Sequence, residues 1–275
     1  MPKLLALMEN QQSEHKALAA EHGLSLWVET DTISFLFDCG ASPAVISNAH
    51  RLGIPLAHAA FTVCSHSHYD HAAGFRDLVE NNLAAPLLYT GPHFWEKKYA
   101  FDGVCYTDLS CGFDESFLSS RQIQQQTVGD ITEIADGVWL IGNFTRRHKF
   151  ETIAERFVRG NPPHTIPDDF SDEICLALAG EKGITVVVGC SHPGILNMVE
   201  TVHNRLNAPI YGVLGGTHLV EADENRIQKT IAEMKSMGVK LMGLSHCSGM
   251  PAEECVCGDS ELKSCHLAVG CEIVL

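Results

Sequence analysis

Basic residues are scarce in this chain. Its 275 residues hold 19 Lys and Arg against 34 Asp and Glu, a formal charge of −15 at pH 7. The surface field therefore repels phosphate backbones and acidic membrane faces, and nucleic-acid binding is disfavoured as the main activity. An anionic small molecule is still admissible, because a metal ion within a site outweighs distant carboxylates. Long apolar runs are also missing. No stretch approaches the roughly 20 residues that cross a bilayer, so no membrane partner is expected. Residues 1–8 carry one basic residue and the apolar run breaks at Glu9, too short for a secretory core, which predicts a cytoplasmic location. The eleven cysteines lack framework spacing and are expected as reduced thiols. Repeats, low-complexity tracts and long charge runs are absent, and Gly215-Gly216 lacks the further glycine and lysine of a phosphate loop.

What is present is the composition of a globular protein, 45% hydrophobic and 19% charged, long enough for a large core. Strands are expected at 4–8, 24–29 and 33–37, with Ser42-Pro43 opening a helix to about residue 51. The apolar run 60–64 fits a fully buried strand, 72–80 a helix and 87–89 a further strand. Residues 94–172 have weak periodicity apart from a strand at 138–141, and are expected as an insertion or lid. From residue 174 the pattern returns, with strands at 174–179, 184–188, 210–214 and 241–244. Helices follow from about 194 and over 223–237, an alternation that calls for a parallel sheet with both faces covered.

The strongest chemical signal is Cys64-Ser65-His66-Ser67-His68-Tyr69-Asp70-His71, directly after the buried strand. Residues two apart in an extended segment face one side, so His66 and His68 can grip one ion while the following turn lets Asp70 and His71 grip a second. Imidazole and carboxylate donors suit zinc, iron or manganese. His192, His218 and His246 each sit just past a strand's carboxyl end, the edge where open α/β sheets gather their sites.

These motifs resemble the metallo-β-lactamase superfamily, and within it the branch of the archaeal dihydropterin ribofuranosyl-aminobenzene phosphate synthases and their bacterial relatives. The residues that carry the resemblance are Leu36-Phe37-Asp38-Cys39-Gly40, the run from His66 to His71, Gly189-Cys190-Ser191-His192-Pro193-Gly194, Gly215-Gly216-Thr217-His218-Leu219 and His246-Cys247-Ser248-Gly249. The resemblance implies a single domain over 1–275, an α/β four-layer αββα sandwich with a two-metal cleft along one edge. It implies two divalent ions, zinc first, with manganese or iron as alternatives. One ion falls to His66, His68 and His192 and the other to Asp70, His71 and His246, with Asp70 doubling as proton shuttle. His218 is then a neighbour of the ligands, a substrate-phosphate group or an alternative ligand. The superfamily commonly bridges its metals with an Asp after a strand. Here the Gly189-Cys190 step holds that place, and Cys190 either ligates as thiolate or packs. The implied function is a metal-dependent hydrolase or transferase of a small phosphorylated or pterin-like molecule. An iron-dependent redox enzyme resembling a persulfide dioxygenase, and a metal-holding scaffold without turnover, are the alternatives.

Asp38 reads either as a partner that orients a ligand histidine or as a turn cap. Arg146 and Arg147 could clasp a substrate phosphate or face solvent. The acidic stretch from Pro167 to Glu173 precedes a strand and reads either as a cap or as the Asp-Asp element that the resembled branch carries, with the cap favoured, and the cysteines of the tail read as ordinary thiols.

Overall fold

The computed structural model describes residues 1–14 and 17–275. The first third supplies β1 (Lys3–Met8), β2 (Ser25–Glu29), β3 (Ser34–Phe37), β4 (Thr62–Val63) and β5 (Leu87–Thr90), with helices α1 (Ala44–Leu52), α2 (Tyr69–Ala72) and α3 (Gly74–Glu80). The middle supplies β6 (Lys98–Phe101), β7 (Tyr106–Asp108), α4 (Glu115–Ser120), β8 (Gln124–Thr127), β9 (Ile131–Ala135), β10 (Val138–Ile141), β11 (Phe157–Asn161) and β12 (His164–Pro167). The remainder supplies β13 (Cys175–Gly180), β14 (Gly183–Val188), α5 (Ile195–Leu206), β15 (Ile210–Gly215), α6 (Glu224–Ser236), β16 (Leu241–Leu244), α7 (Met250–Cys257), β17 (Lys263–Cys265) and β18 (Glu272–Val274).

Two seven-stranded sheets result, in the orders β18-β1-β2-β3-β4-β5-β8 and β17-β16-β15-β14-β13-β10-β9, with a four-stranded sheet β12-β11-β6-β7 beside them. The period-2 alternation of the strands builds the layers. Leu4 and Ala6 of β1 join Val187 of β14 and Leu176 and Leu178 of β13 in one apolar cluster between the large sheets. Leu5 and Leu7 turn the other way, onto Val45 and Ala49 of α1 and Phe75 and Leu78 of α3. Ile184, Val186 and Val188 turn onto α5, α6 and α7 through Val199, Ile231 and Val256. Strands buried on both faces explain the continuous apolar runs of the sequence, and the arrangement is the expected four-layer α/β sandwich.

Local chemistry sets the helix ends. The Asp223 side chain accepts from the Arg226 amide at 2.7 Å and opens α6, whose Ile227, Ile231 and Met234 repeat at helical spacing. Strands β14 to β17 are parallel, but β13 runs antiparallel to β14 through the Gly180–Gly183 turn, so the second sheet is mixed rather than parallel throughout. The apolar stretch 60–64 is a regular strand only over Thr62–Val63, with the amides of Ala60 and Cys64 bonding outside it to the carbonyls of Ser34 and Tyr89, and its first residue, Ala60, is exposed. Residues 94–172 carry one or more strands of all three sheets. Among the described residues no helix is long and apolar enough to cross a membrane.

Candidate metal centre

The chemistry-bearing residues meet at the carboxyl ends of β3, β4, β14, β15 and β16. At the end of β3 Asp38 is fully buried, with φ 59°. Its Oδ1 accepts from the Ser65 amide at 2.7 Å, and its Oδ2 from Ser65 Oγ at 2.8 Å and His71 Nδ1 at 2.7 Å. One carboxylate thus pins the loop after β4 and turns the His71 ring so that Nε2 faces inward. Gly189 makes room for this knot, since a Cβ there would lie 2.1 Å from Ser65 Oγ. Ser191, His218 and His246 share the left-handed backbone, with φ of 63°, 49° and 54°. Such conformations cost on the order of 1–3 kcal/mol each and cluster where function needs them.

His66, His68 and His192 form the first donor group, their ligand nitrogens within 4.8 Å of one another. Their ring centroids stand 4.7, 5.0 and 5.1 Å apart. All three are buried, and the Nε2 of each has no hydrogen-bond partner among the described residues. Burial pushes all three well below the ordinary histidine range, which keeps them neutral with lone pairs free. Leaving a buried polar atom unsatisfied costs about 1–3 kcal/mol, and three such nitrogens aimed at one point fit a cation with nitrogen ligands. The backbone around them is held by carboxylates. Glu173 accepts from the amides of Ser191 and His192 at 2.5 and 2.9 Å, and burial lifts its pKa to about 8. Asp172 accepts from the Ser67 amide at 3.0 Å and pairs with buried Lys98 at 2.5 Å.

The second group gathers where α2 begins, with His68 as N-cap and Asp70 and His71 in the first turn. His71 Nε2 lies 3.0 Å from His246 Nε2 and 3.7 Å from Asp70 Oδ2, and His246 Nε2 lies 3.3 Å from the same oxygen. Cys190 Sγ is 3.1 Å from His71 Nε2. Asn10 faces His246 Nδ1 at 2.9 Å, and Glu9 accepts from the His246 amide at 2.5 Å. Burial opposes the charge on Asp70, yet His71 and the hydrogen bonds from His22 and His246 hold its pKa well below the usual carboxylate range. Burial likewise opposes the charge on His71, but Asp70 and Asp38 lift it to about 9. The expected second set is thus brought together, with His22 Nε2 added 3.1 Å from Asp70 Oδ2.

Both groups open on a cavity of about 290 Å³ whose wall includes Phe157, His218, Val220 and Glu221, under the small sheet. The His218 ring lies 4.4 Å from that of His192, but it joins none of the donor groups found among the described residues. Burial pulls its pKa down to about 4. Arg146 and Arg147 are not brought here. Arg146 donates to the Glu151 carbonyl at 3.3 Å and Arg147 pairs with Glu200 on α5 at 3.2 Å, outside the residues that line this cavity. The cation at the wall is Arg156, with Cζ 4.3 Å above the Phe157 ring and an ion pair to Glu221. Sequence reasoning missed His22 and Arg156 because each stands alone, without a motif.

Residues 19–103, which contain Asp38 and the loop from His66 to His71, match the Metallo-beta-lactamase superfamily. Over this stretch the chain is similar to that superfamily. It is 28% identical over 267 residues, 91% of this chain and 89% of the relative, to the 7,8-dihydropterin-6-methyl-4-(beta-D-ribofuranosyl)-aminobenzene-5'-phosphate synthase of Methanocaldococcus jannaschii. An uncharacterized protein of the same organism is 29% identical over 86% of this chain and 88% of its own length. A crystal structure described as a metal-dependent hydrolase of the beta-lactamase superfamily superposes with a TM-score of 0.83 at 25% identity, covering 100% of this chain and 99% of that one.

Proposed function

We propose that this chain is a member of the metallo-β-lactamase superfamily and a metal-dependent enzyme acting on a small phosphorylated or pterin-like molecule through a dinuclear site. His66, His68 and His192 hold one ion, and Asp70, His71 and His246 hold the other. The observation that carries the reading is the set of three buried, unpartnered Nε2 atoms beside a second convergent set with a carboxylate. Divalent ions, zinc in the first place, would polarise an oxygen bonded to the electrophilic centre and neutralise the negative charge that develops during reaction.

The chain's own residues do the rest. The Asp38 carboxylate orients His71, and Glu173 fixes the turn that presents His192. Asp70 is the catalytic group that exchanges a proton with solvent, through its contact with exposed His22 at 3.1 Å. Phe157 offers an aromatic face and Arg156 a cation at the wall, partners suited to a flat heterocycle and to phosphate. A cavity of about 290 Å³ admits the reacting end of a substrate and leaves a longer tail outside. The synthase relative favours group transfer with loss of a phosphate-bearing leaving group, and the hydrolase neighbour favours attack by water.

The test is turnover of dihydropterin diphosphates, with and without an aminobenzene acceptor, alongside a panel of phosphate esters. Turnover abolished by a chelator and restored by a divalent ion is expected. Fully metal-loaded protein that turns over none of them would contradict the reading.

A further inference from the structure

Cys190 belongs to two donor clusters at once. Its sulfur groups with His66 and His71 on one side and with His246 and Cys247 on the other, the ligand atoms of each cluster lying within 4.8 Å of one another. It is the sulfur common to the two histidine sets, and it lies 3.1 Å from His71 Nε2. We propose that Cys190 Sγ is a thiolate bridge between the two ions, standing where the superfamily commonly has a carboxylate. The inference rests on the dinuclear reading and adds a soft ligand to it.

The backbone aims this sulfur and holds the neighbouring thiol aside. Cys190 follows β14 directly, and the left-handed Ser191 after it turns the chain so that Cys190 and His192 both reach the centre. Cys247, after β16, is already engaged. Its Sγ accepts from the His218 amide at 3.3 Å and approaches the Cys190 carbonyl at 3.6 Å. Gly216 leaves space for it, since a Cβ there would lie 2.6 Å from the Cys247 sulfur. Cys190 Sγ instead faces His71 Nε2, at 3.1 Å.

On ligation the S–H bond breaks and the proton leaves to solvent. The sulfur lone pairs form the two bonds to the ions, and nothing is oxidised or reduced. A thiolate bridge biases the site toward zinc and iron over manganese.

X-ray absorption at the zinc edge of the zinc-loaded full chain tests this. Expected is a sulfur shell at about 2.3 Å with two zinc ions per chain. The shell is lost in Cys190→Ser and retained in Cys247→Ser. Cys190→Asp, which returns the carboxylate, keeps both ions and loses the shell, so the proposal stays testable if the serine variant folds poorly. Two zinc ions without sulfur, or a shell that survives Cys190→Asp, overturn the thiolate bridge and leave the dinuclear reading standing. Protein that retains no zinc overturns both.

Discussion

Lys98 offers a quantitative test of what holds the first donor loop. It is 1% exposed, and its ammonium lies 2.5 Å from Asp172 and 3.0 Å from Asp168, both buried. Burial opposes its charge, but Asp172 and Asp168 raise its pKa above the ordinary lysine value. Lys98→Met leaves two buried carboxylates facing each other without a cation, and breaking a buried pair in this way costs about 3–5 kcal/mol. For a chain of this length the unfolding entropy is about 0.6 kcal/mol/K, so Tm should fall by about 5–9 °C. Differential scanning calorimetry reads the shift. Lys98→Met/Asp168→Asn/Asp172→Asn, which removes all three charges, should recover more than half of it. Because Asp172 also accepts from the Ser67 amide, between His66 and His68, metal affinity should weaken in Lys98→Met as well. A Tm within about 1 °C of the parent, or a triple variant no more stable than the single, would refute the assignment of the Lys98 cluster as the anchor.

Two other changes follow from the same geometry. Asp38→Asn keeps the volume and loses the charge that orients His71, so metal affinity measured by chelator competition should fall about 10–100-fold; unchanged affinity would assign Asp38 to the turn alone. His266 has its pKa raised, chiefly by its hydrogen bond to Glu9 and by the charges of Glu9 and Glu253 against the opposing effect of burial. Its contribution to stability is fully present below the unfolded value of about 6.5 and is lost as pH rises through the higher folded value. His266→Gln should therefore lower Tm at pH 6 more than at pH 9, and an equal loss at both would contradict the pairing.

The parts of the site that could be read from sequence are those carried by neighbours in the chain. His66, His68, Asp70 and His71 lie within six positions, and a strand followed by a turn converts that spacing into two gripping faces. His192 and His246 were legible because each follows a buried strand whose apolar run announces its carboxyl end. Residues 94–172 were not, for a physical reason. β8 is Gln-Gln-Gln-Thr and β12 is His-Thr-Ile-Pro, largely exposed, so their pairing is held by backbone bonds and leaves little apolar period to detect. The Lys98 cluster joins residues far apart in sequence, and the acidic stretch read as a cap proves to do two things. Asp168 Oδ1 accepts from the Phe170 amide at 2.9 Å, and Oδ2 pairs with Lys98. Arg146 and Arg147 attracted notice as a basic cluster, while the cation at the cavity wall is an isolated Arg156.

Each of the two convergent donor sets is expected to hold an ion. Elemental analysis of protein purified without chelators or metal-affinity resin tests it most directly, on the parent chain and on His68→Ala and His192→Ala. Two divalent ions per chain are expected in the parent and about half that content in each variant. A parent without metal, or variants that retain the full content, would contradict it.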